Sequence, residues 1–235
     1  LVLMPLLNVD GYLRQQRVYS DGQDLNRIMP GRPDGNAGEL YAHRLLHRLI
    51  APLDVLFDLH TASTGRVNTL YIRADLDDPQ TAALARRMAP QIILHSPRTD
   101  GTLRAAAQDM GKTALTVEVG DPQRLQSGLV RSARLGLQEA LEHLGMFPNV
   151  SEPDRIPVVE CRSSRWLHTD RGGILRVVVD LAEVVEQGQT IAYLDNIWGD
   201  RVRTYCAPER GFVIGKSTNP TAAAGARLIH LGGMA

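Results

Sequence analysis

The chain has 235 residues, room for one large domain or for a medium domain joined to a small one. Its 26 basic and 26 acidic residues cancel, and 43% of it is hydrophobic, an ordinary globular composition. A chain without net charge, also balanced on either side of residue 150, presents no basic face for nucleic acid. No apolar run approaches the roughly 18 residues that a membrane-spanning helix needs.

Leu1–Leu7 reads as a buried strand. It begins without an initiator methionine, a basic leader or a cleavage site, so a cytoplasmic protein is expected, with a segment upstream of Leu1 missing from the chain. Residues 8–37 are rich in Gly, Pro, Asn and Asp and read as loop. Glu39–Ile50 reads as helix from the spacing of Leu45, Leu46, Leu49 and Ile50. Val55–Phe57 reads as a strand that runs straight into Asp58-Leu59-His60. A helix over Pro79–Met88, a strand over Gln91–Leu94 and a helix over Thr102–Met110 closed by Gly111 follow. Thr113–Val119 is a β-branched strand. Gln123–Leu144 is an amphipathic helix with Leu125, Leu129, Ala133, Leu137, Leu141 and Leu144 on one stripe.

Strands alternating with helices imply an α/β fold, with a mainly parallel or mixed sheet flanked by helices. Pro153 and Pro157 mark a linker. After it come six short β runs: Val158–Cys161, Ile174–Val179, Thr190–Leu194, Val202–Tyr205, Gly211–Ile214 and Leu228–Leu231. With glycines between them they read as a small all-β barrel or sandwich. The expected division is a catalytic domain over 1–150 and a small β domain over 151–235.

Ligands of open α/β sheets bind at the carboxyl ends of strands. His60 and Glu118 both lie at such ends. Imidazole is the commonest metal ligand, and Asp58 shares a strand face with His60 and could orient it. A hydrogen-bonded structural histidine is the competing reading. Glu118, after an apolar strand, suits general base work; a strand-end ion pair with an arginine competes. Asn26 and Arg27 follow Arg14 and Arg17 in a loop, and an Asn beside an Arg suits carboxylate recognition. A turn with a surface arginine is the alternative. His43 and His47 are spaced as a metal pair but lack an acidic or thiol partner, and read as a solvated helix face. His95, His143, His168 and His230 receive no role. Cys161 and Cys206 have no metal or redox spacing and read as reduced thiols.

Several segments together resemble the succinylglutamate desuccinylase/aspartoacylase family, which has a zinc carboxypeptidase-like fold. They occur in the family's order: Pro5 to Tyr12, then Arg17 to Gly31 with Asp24-Leu25-Asn26-Arg27, then Asp58-Leu59-His60-Thr61, then Thr116-Val117-Glu118-Val119-Gly120. Trp166, Gly172 to Leu175, Val185 to Gln189 and Ala207 to Val213 resemble its C-terminal β domain.

The resemblance implies a zinc-dependent hydrolase that removes an N-acyl group from a small amino acid or related amine. It implies His60 as a zinc ligand and Glu118 as activator of the attacking water. It also implies Asn26 and Arg27 as carboxylate binders and Arg17 as the residue that polarises the scissile carbonyl, with Arg14 as its rival. A zinc carboxypeptidase acting on short peptides is the alternative enzyme. The family's other two ligands come from a His-x-x-Glu motif, and this sequence contains none. A truncated, non-catalytic ligand-binding member is therefore the third reading. The β domain is also similar to biotinyl and lipoyl carriers. Its only lysine, Lys216, lacks the setting of a modified hairpin lysine, so a packing role is expected.

Overall fold

The computed structural model describes residues 1–99, 101–148 and 157–234. In chain order it forms α1 (Val9–Leu13), a 3-10 turn (Leu25–Arg27), α2 (Ala37–Arg44), a π-helical turn (Leu45–Ile50), β1 (Val55–His60), β2 (Arg66–Asn68) and β3 (Leu70–Ala74). Then follow α3 (Pro79–Arg87), β4 (Ile92–His95), α4 (Leu103–Asp109), β5 (Thr113–Val119) and α5 (Ser127–His143). The last part holds β6 (Val159–His168), β7 (Gly173–Val177), β8 (Val184–Val185), β9 (Thr190–Asp195), β10 (Arg201–Cys206), β11 (Gly211–Ser217), β12 (Thr221–Ala222) and β13 (Arg227–Met234).

Nine strands make one sheet in the order β1-β5-β3-β4-β6-β13-β11-β2, with β8 also on β11; four make a second, β10-β9-β7-β12. The large sheet is mixed: β3–β4 and β4–β6 are parallel, whereas β3–β5, β6–β13, β11–β13 and β2–β11 are antiparallel. Among the described residues no helix is long and apolar enough to cross a membrane.

The chain divides into two compact units, Leu1–Asp58 with Pro97–Leu115, and Leu59–Ser96 with Thr116–Ala235. The domain boundary expected at residue 150 lies outside the described residues, as does Pro153.

In the first unit, Leu25, Met29, Leu45, Leu46, Ile50 and Leu103 form a common core. Asn36 caps α2, its side chain accepting from Glu39 N–H while the Glu39 carboxylate accepts from Asn36 N–H; this reciprocal pair satisfies two orphan donors of the helix. Leu1–Leu7 is not a strand. Leu1, Val2 and Leu3 are exposed, because no described strand forms a ladder with this segment, and Leu7 at its end packs against the core. Residues 8–37 also hold more order than a loop, in α1 and the 3-10 turn.

In the second unit the two sheets pack face to face. Ile191, Val213, Ile229 and Leu231 are buried between them with Leu167 and Val177. Each such side chain contributes about 1.5–3 kcal/mol on burial. Strands β6, β11 and β13 belong to the large sheet, so the C-terminal segment extends it as well as building the smaller one. Helix α5 begins at Ser127, later than expected, and Leu125 is 92% exposed. The face it buries is Ala133, Gly136 and Ala140. Small residues win there because a Cβ on Gly136 would clash with the Met88 carbonyl at the end of α3. Both cysteines are free thiols, Cys161 buried and Cys206 exposed.

Candidate active site

In the first unit the segment Arg17–Arg27 is organised by Asp24. One Asp24 oxygen accepts from Asn26 N–H at 3.0 Å and caps the 3-10 turn; the other accepts from Arg17 Nε at 2.8 Å. One carboxylate therefore fixes Arg17 relative to Asn26. The pair uses only the Nε of Arg17, which leaves the terminal guanidinium nitrogens for another partner. Arg14 is drawn instead to Asp10, its i,i+4 partner around α1.

Asn26 is held by a long-range contact. Its Oδ1 accepts from the N–H of Leu103, the first residue of α4, at 2.8 Å. A backbone N–H can only be met by the amide oxygen, so this bond sets the orientation of the side chain and presents its NH2 group as a donor. Arg27 is exposed, and its guanidinium donates to the Asn26 carbonyl at 2.7 Å. Gly101 passes against this turn with φ +80, and a Cβ there would lie 2.5 Å from the Arg27 carbonyl oxygen. Asn26 and Arg27 thus form a donor pair braced on the α4 side of the same unit.

In the second unit Glu118, near the end of β5, stands directly opposite Tyr71 of β3. Its side chain is 14% exposed. One carboxylate oxygen accepts from Asn68 Nδ2 at 3.3 Å, and the other lies 3.7 Å from Arg73 Nε. Arg73 also donates to the Tyr71 hydroxyl at 2.7 Å and lies over its ring. Burial pushes the Tyr71 hydroxyl well above its ordinary pKa, so it remains a neutral acceptor for that guanidinium.

The sequence pattern alone points to neither Asn68 nor Arg73, since the expected elements include no strand over 66–74. The signal was present in Val67-Asn68-Thr69-Leu70-Tyr71-Ile72, a β-prone run that follows Gly65.

His60 ends β1. The strand extends through it, with Asp58 and His60 half-buried and Leu59 between them 54% exposed, as alternation requires. A catalytic zinc takes about three protein ligands. Among the described residues one group of three side chains could hold a metal ion, Asp75, Asp77 and His95, and His60 is not part of it. The described residues therefore do not make a zinc site around His60 by themselves.

The other group is a poor substitute. His95 Nδ1 already accepts from Leu76 N–H at 3.1 Å, and Asp77 already pairs with Arg162 at 2.8 Å. His95, given no role from the sequence, organises the turn after β3. The rings of His43 on α2 and His47 on the π-helical turn lie 4.3 Å apart, tilted by 51°.

Comparison with known proteins places these features in context. A sequence model of the succinylglutamate desuccinylase/aspartoacylase catalytic domain matches residues 1–144. The N-alpha-acetyl-L-2,4-diaminobutyric acid deacetylase of Halomonas elongata is 26% identical over 204 residues, which is 81% of this chain and 59% of that protein. The chain thus spans less than two thirds of that relative's length. The product-bound ectoine utilization protein EutE (DoeB) from Ruegeria pomeroyi has a similar structure, with a TM-score of 0.86 and 22% identity over 98% of this chain and 74% of the other. A succinylglutamate desuccinylase/aspartoacylase from Rhodobacter sphaeroides matches with a TM-score of 0.85 and 20% identity, over 97% and 73% of the two chains.

Proposed function

This chain belongs to the succinylglutamate desuccinylase/aspartoacylase family, and we propose that it provides the base and the carboxylate-binding part of a hydrolase that removes an acyl group from an N-acyl amino acid or related small amine. The reading includes zinc as the metal, with His60 as one of its ligands. Zinc would supply a polarised carbonyl and a more acidic water. Because the described residues do not complete its coordination, the chemistry is followed only through this chain's own side chains.

Asn26 and Arg27 bind the substrate carboxylate, the amide NH2 and the guanidinium both donating. Arg17 supplies positive charge to the carbonyl oxygen as the tetrahedral intermediate forms. Glu118 takes the proton of the attacking water and passes it to the leaving amine. Asn68 and Arg73 hold that carboxylate in one orientation. In this reading residues 1–150 carry the chemistry, and 151–235 form the β domain.

What supports the assignment is that Arg17, Asn26, Arg27, His60 and Glu118 all fall within the matched residues 1–144, and that the last of them is a nearly buried, doubly held carboxylate. A non-catalytic binding role is the second reading, favoured by the incomplete ligand set around His60. The two separate on purified protein by zinc analysis together with hydrolysis of a panel of N-acyl amino acids. A zinc content far below one per chain with no hydrolysis of any member would sink the hydrolase reading for this chain.

A further inference from the structure

The Arg17–Arg27 segment carries two aspartates that hold different things. Asp24 holds Arg17 and the N–H of Asn26. Asp21 reaches α2: its Oδ2 accepts from Gly38 N–H at 2.7 Å, 17 positions along the chain. Its Oδ1 accepts from Gln23 N–H at 3.2 Å, and the Gln23 side-chain amide donates to Oδ2 at 3.3 Å.

Gly38 is the second residue of α2, so its N–H is among those that a helix leaves without an internal partner. The reciprocal Asn36–Glu39 bonds serve the N–H groups of Glu39 and Asn36. Gly38 N–H is met from the loop instead, and a carboxylate suits it because the N-terminal end of a helix carries partial positive charge. Gly38 is buried, and a Cβ on it would lie 2.8 Å from Asp21 Oδ2 and 3.0 Å from Oδ1. The carboxylate therefore seats only against a glycine.

A second contact joins the same two parts. The Tyr19 ring stacks on Tyr41 of α2 at 5.0 Å and 25°, and the Tyr41 hydroxyl donates to the Leu7 carbonyl at 2.6 Å. Within the loop, Tyr19 N–H donates to the Gln23 carbonyl at 2.8 Å and Gly22 N–H to the Tyr19 carbonyl at 2.9 Å. The turn 19–23 is thus closed on itself, tied to α2, and followed directly by Asp24.

Asp24 sets Arg17 and Asn26 relative to each other; Asp21 sets the loop that carries them relative to α2. We propose that Asp21 is a positioning residue for the carboxylate site. Its bond to Gly38 latches the turn 19–23 onto α2 and, through Asp24, keeps Arg17 in register with Asn26 and Arg27. Asp21 itself touches no substrate. The functional half of this inference rests on the reading of Asn26 and Arg27 as carboxylate binders.

Amide hydrogen exchange tests the latch without any ligand. Asn26 N–H is bonded to Asp24, and Leu103 N–H, the first of α4, to the Asn26 side chain, so both amides report where Asn26 stands. Asp21→Ala should speed exchange at both about tenfold or more, the factor that one charge-assisted hydrogen bond contributes. A role confined to capping α2 would speed exchange in α2 alone. Asp21→Asn keeps an acceptor for Gly38 N–H and should restore protection to within about threefold of the parent. Gly38→Ala is the second variant. Alanine favours a helix over glycine, so α2 is not weakened, but the added Cβ displaces the Asp21 carboxylate. It should reproduce the faster exchange at Asn26 and Leu103.

Calorimetric titration with N-acetylglycine, with N-acetylglycinamide as the uncharged control, reads the consequence for binding. Asp21→Ala and Gly38→Ala should bind N-acetylglycine about tenfold or more weakly than the parent. Parental exchange at Asn26 and Leu103 in these two variants overturns the latch, and parental affinity in both overturns its role in binding. The carboxylate reading of Asn26 and Arg27 fails differently: the parent itself then binds N-acetylglycine no better than the control, while the exchange differences between parent and variants persist.

Discussion

The side-chain oxygen of Asn26 accepts the N–H of Leu103 at 2.8 Å, a bond that spans 77 residues of sequence. It separates two properties of the asparagine, since the oxygen serves the fold and, on the proposed function, the nitrogen serves the substrate. Asn26→Asp keeps an acceptor for Leu103 but exchanges the NH2 donor for negative charge. The expected outcome is a thermal midpoint within a few degrees of the parent and a KM for carboxylate-bearing substrates raised about tenfold or more. Steady-state kinetics beside a melting curve checks it, and an unchanged KM removes Asn26 from the carboxylate site.

Glu118→Ala removes the proposed base and leaves Asn68 and Arg73 without their shared partner. On the proposed function kcat should fall by about a hundredfold or more, with metal content unchanged. Turnover within a few-fold of the parent would show that another group moves the proton.

Arg17 and Arg14 are separable in the same assay. Asp24 fixes Arg17 beside Asn26, while Asp10 holds Arg14 on α1. Arg17→Ala should lower kcat far more than it changes KM, because charge on the carbonyl oxygen develops mainly in the transition state. Arg14→Ala should leave both within about twofold. The reverse pattern would exchange their roles.

His230 ties stability to pH. Its pKa is about 3 in the folded protein against 6.5 as the ordinary value, lowered by burial and by Arg73 and Arg227. Protonation therefore favours the unfolded chain. The stabilisation is complete above about pH 6.5 and is lost progressively as pH falls towards 3. Between pH 7 and pH 5 one such group costs about 2 kcal/mol. Urea titrations should show a smaller loss over that range in His230→Phe than in the parent, and equal losses would assign the acid sensitivity elsewhere.

Much of this arrangement is legible from residue patterns. The strand Thr113–Val119 coincides with β5, because its run of β-branched and apolar residues is bounded by Lys112 and Gly120. The helices over Pro79–Met88 and Thr102–Met110 carry Asp78 and Thr102 as side-chain caps, and those residues mark where the helices begin. Leu1–Leu7 has the composition of a strand, but a strand exists only with a neighbour to accept its hydrogen bonds, and composition does not supply one. The residues around Glu118 were hidden for a related reason. Asn68 reaches the carboxylate across a sequence separation of 50, and nothing local to either residue announces the contact.

The short strand β2 has one further consequence. It is three residues long and pairs with β11, so that Asn68 is matched to Gly215 and Arg66 to Ser217, about 150 positions away. A polypeptide cut after the long helix α5 would keep the chemical motifs and lose the strand against which Asn68 is registered. Glu118 would then depend for one of its two holders on a segment with no ladder. The C-terminal β segment is on this account a jig for the carboxylate, and during synthesis Asn68 cannot take its final register until β11 has been made.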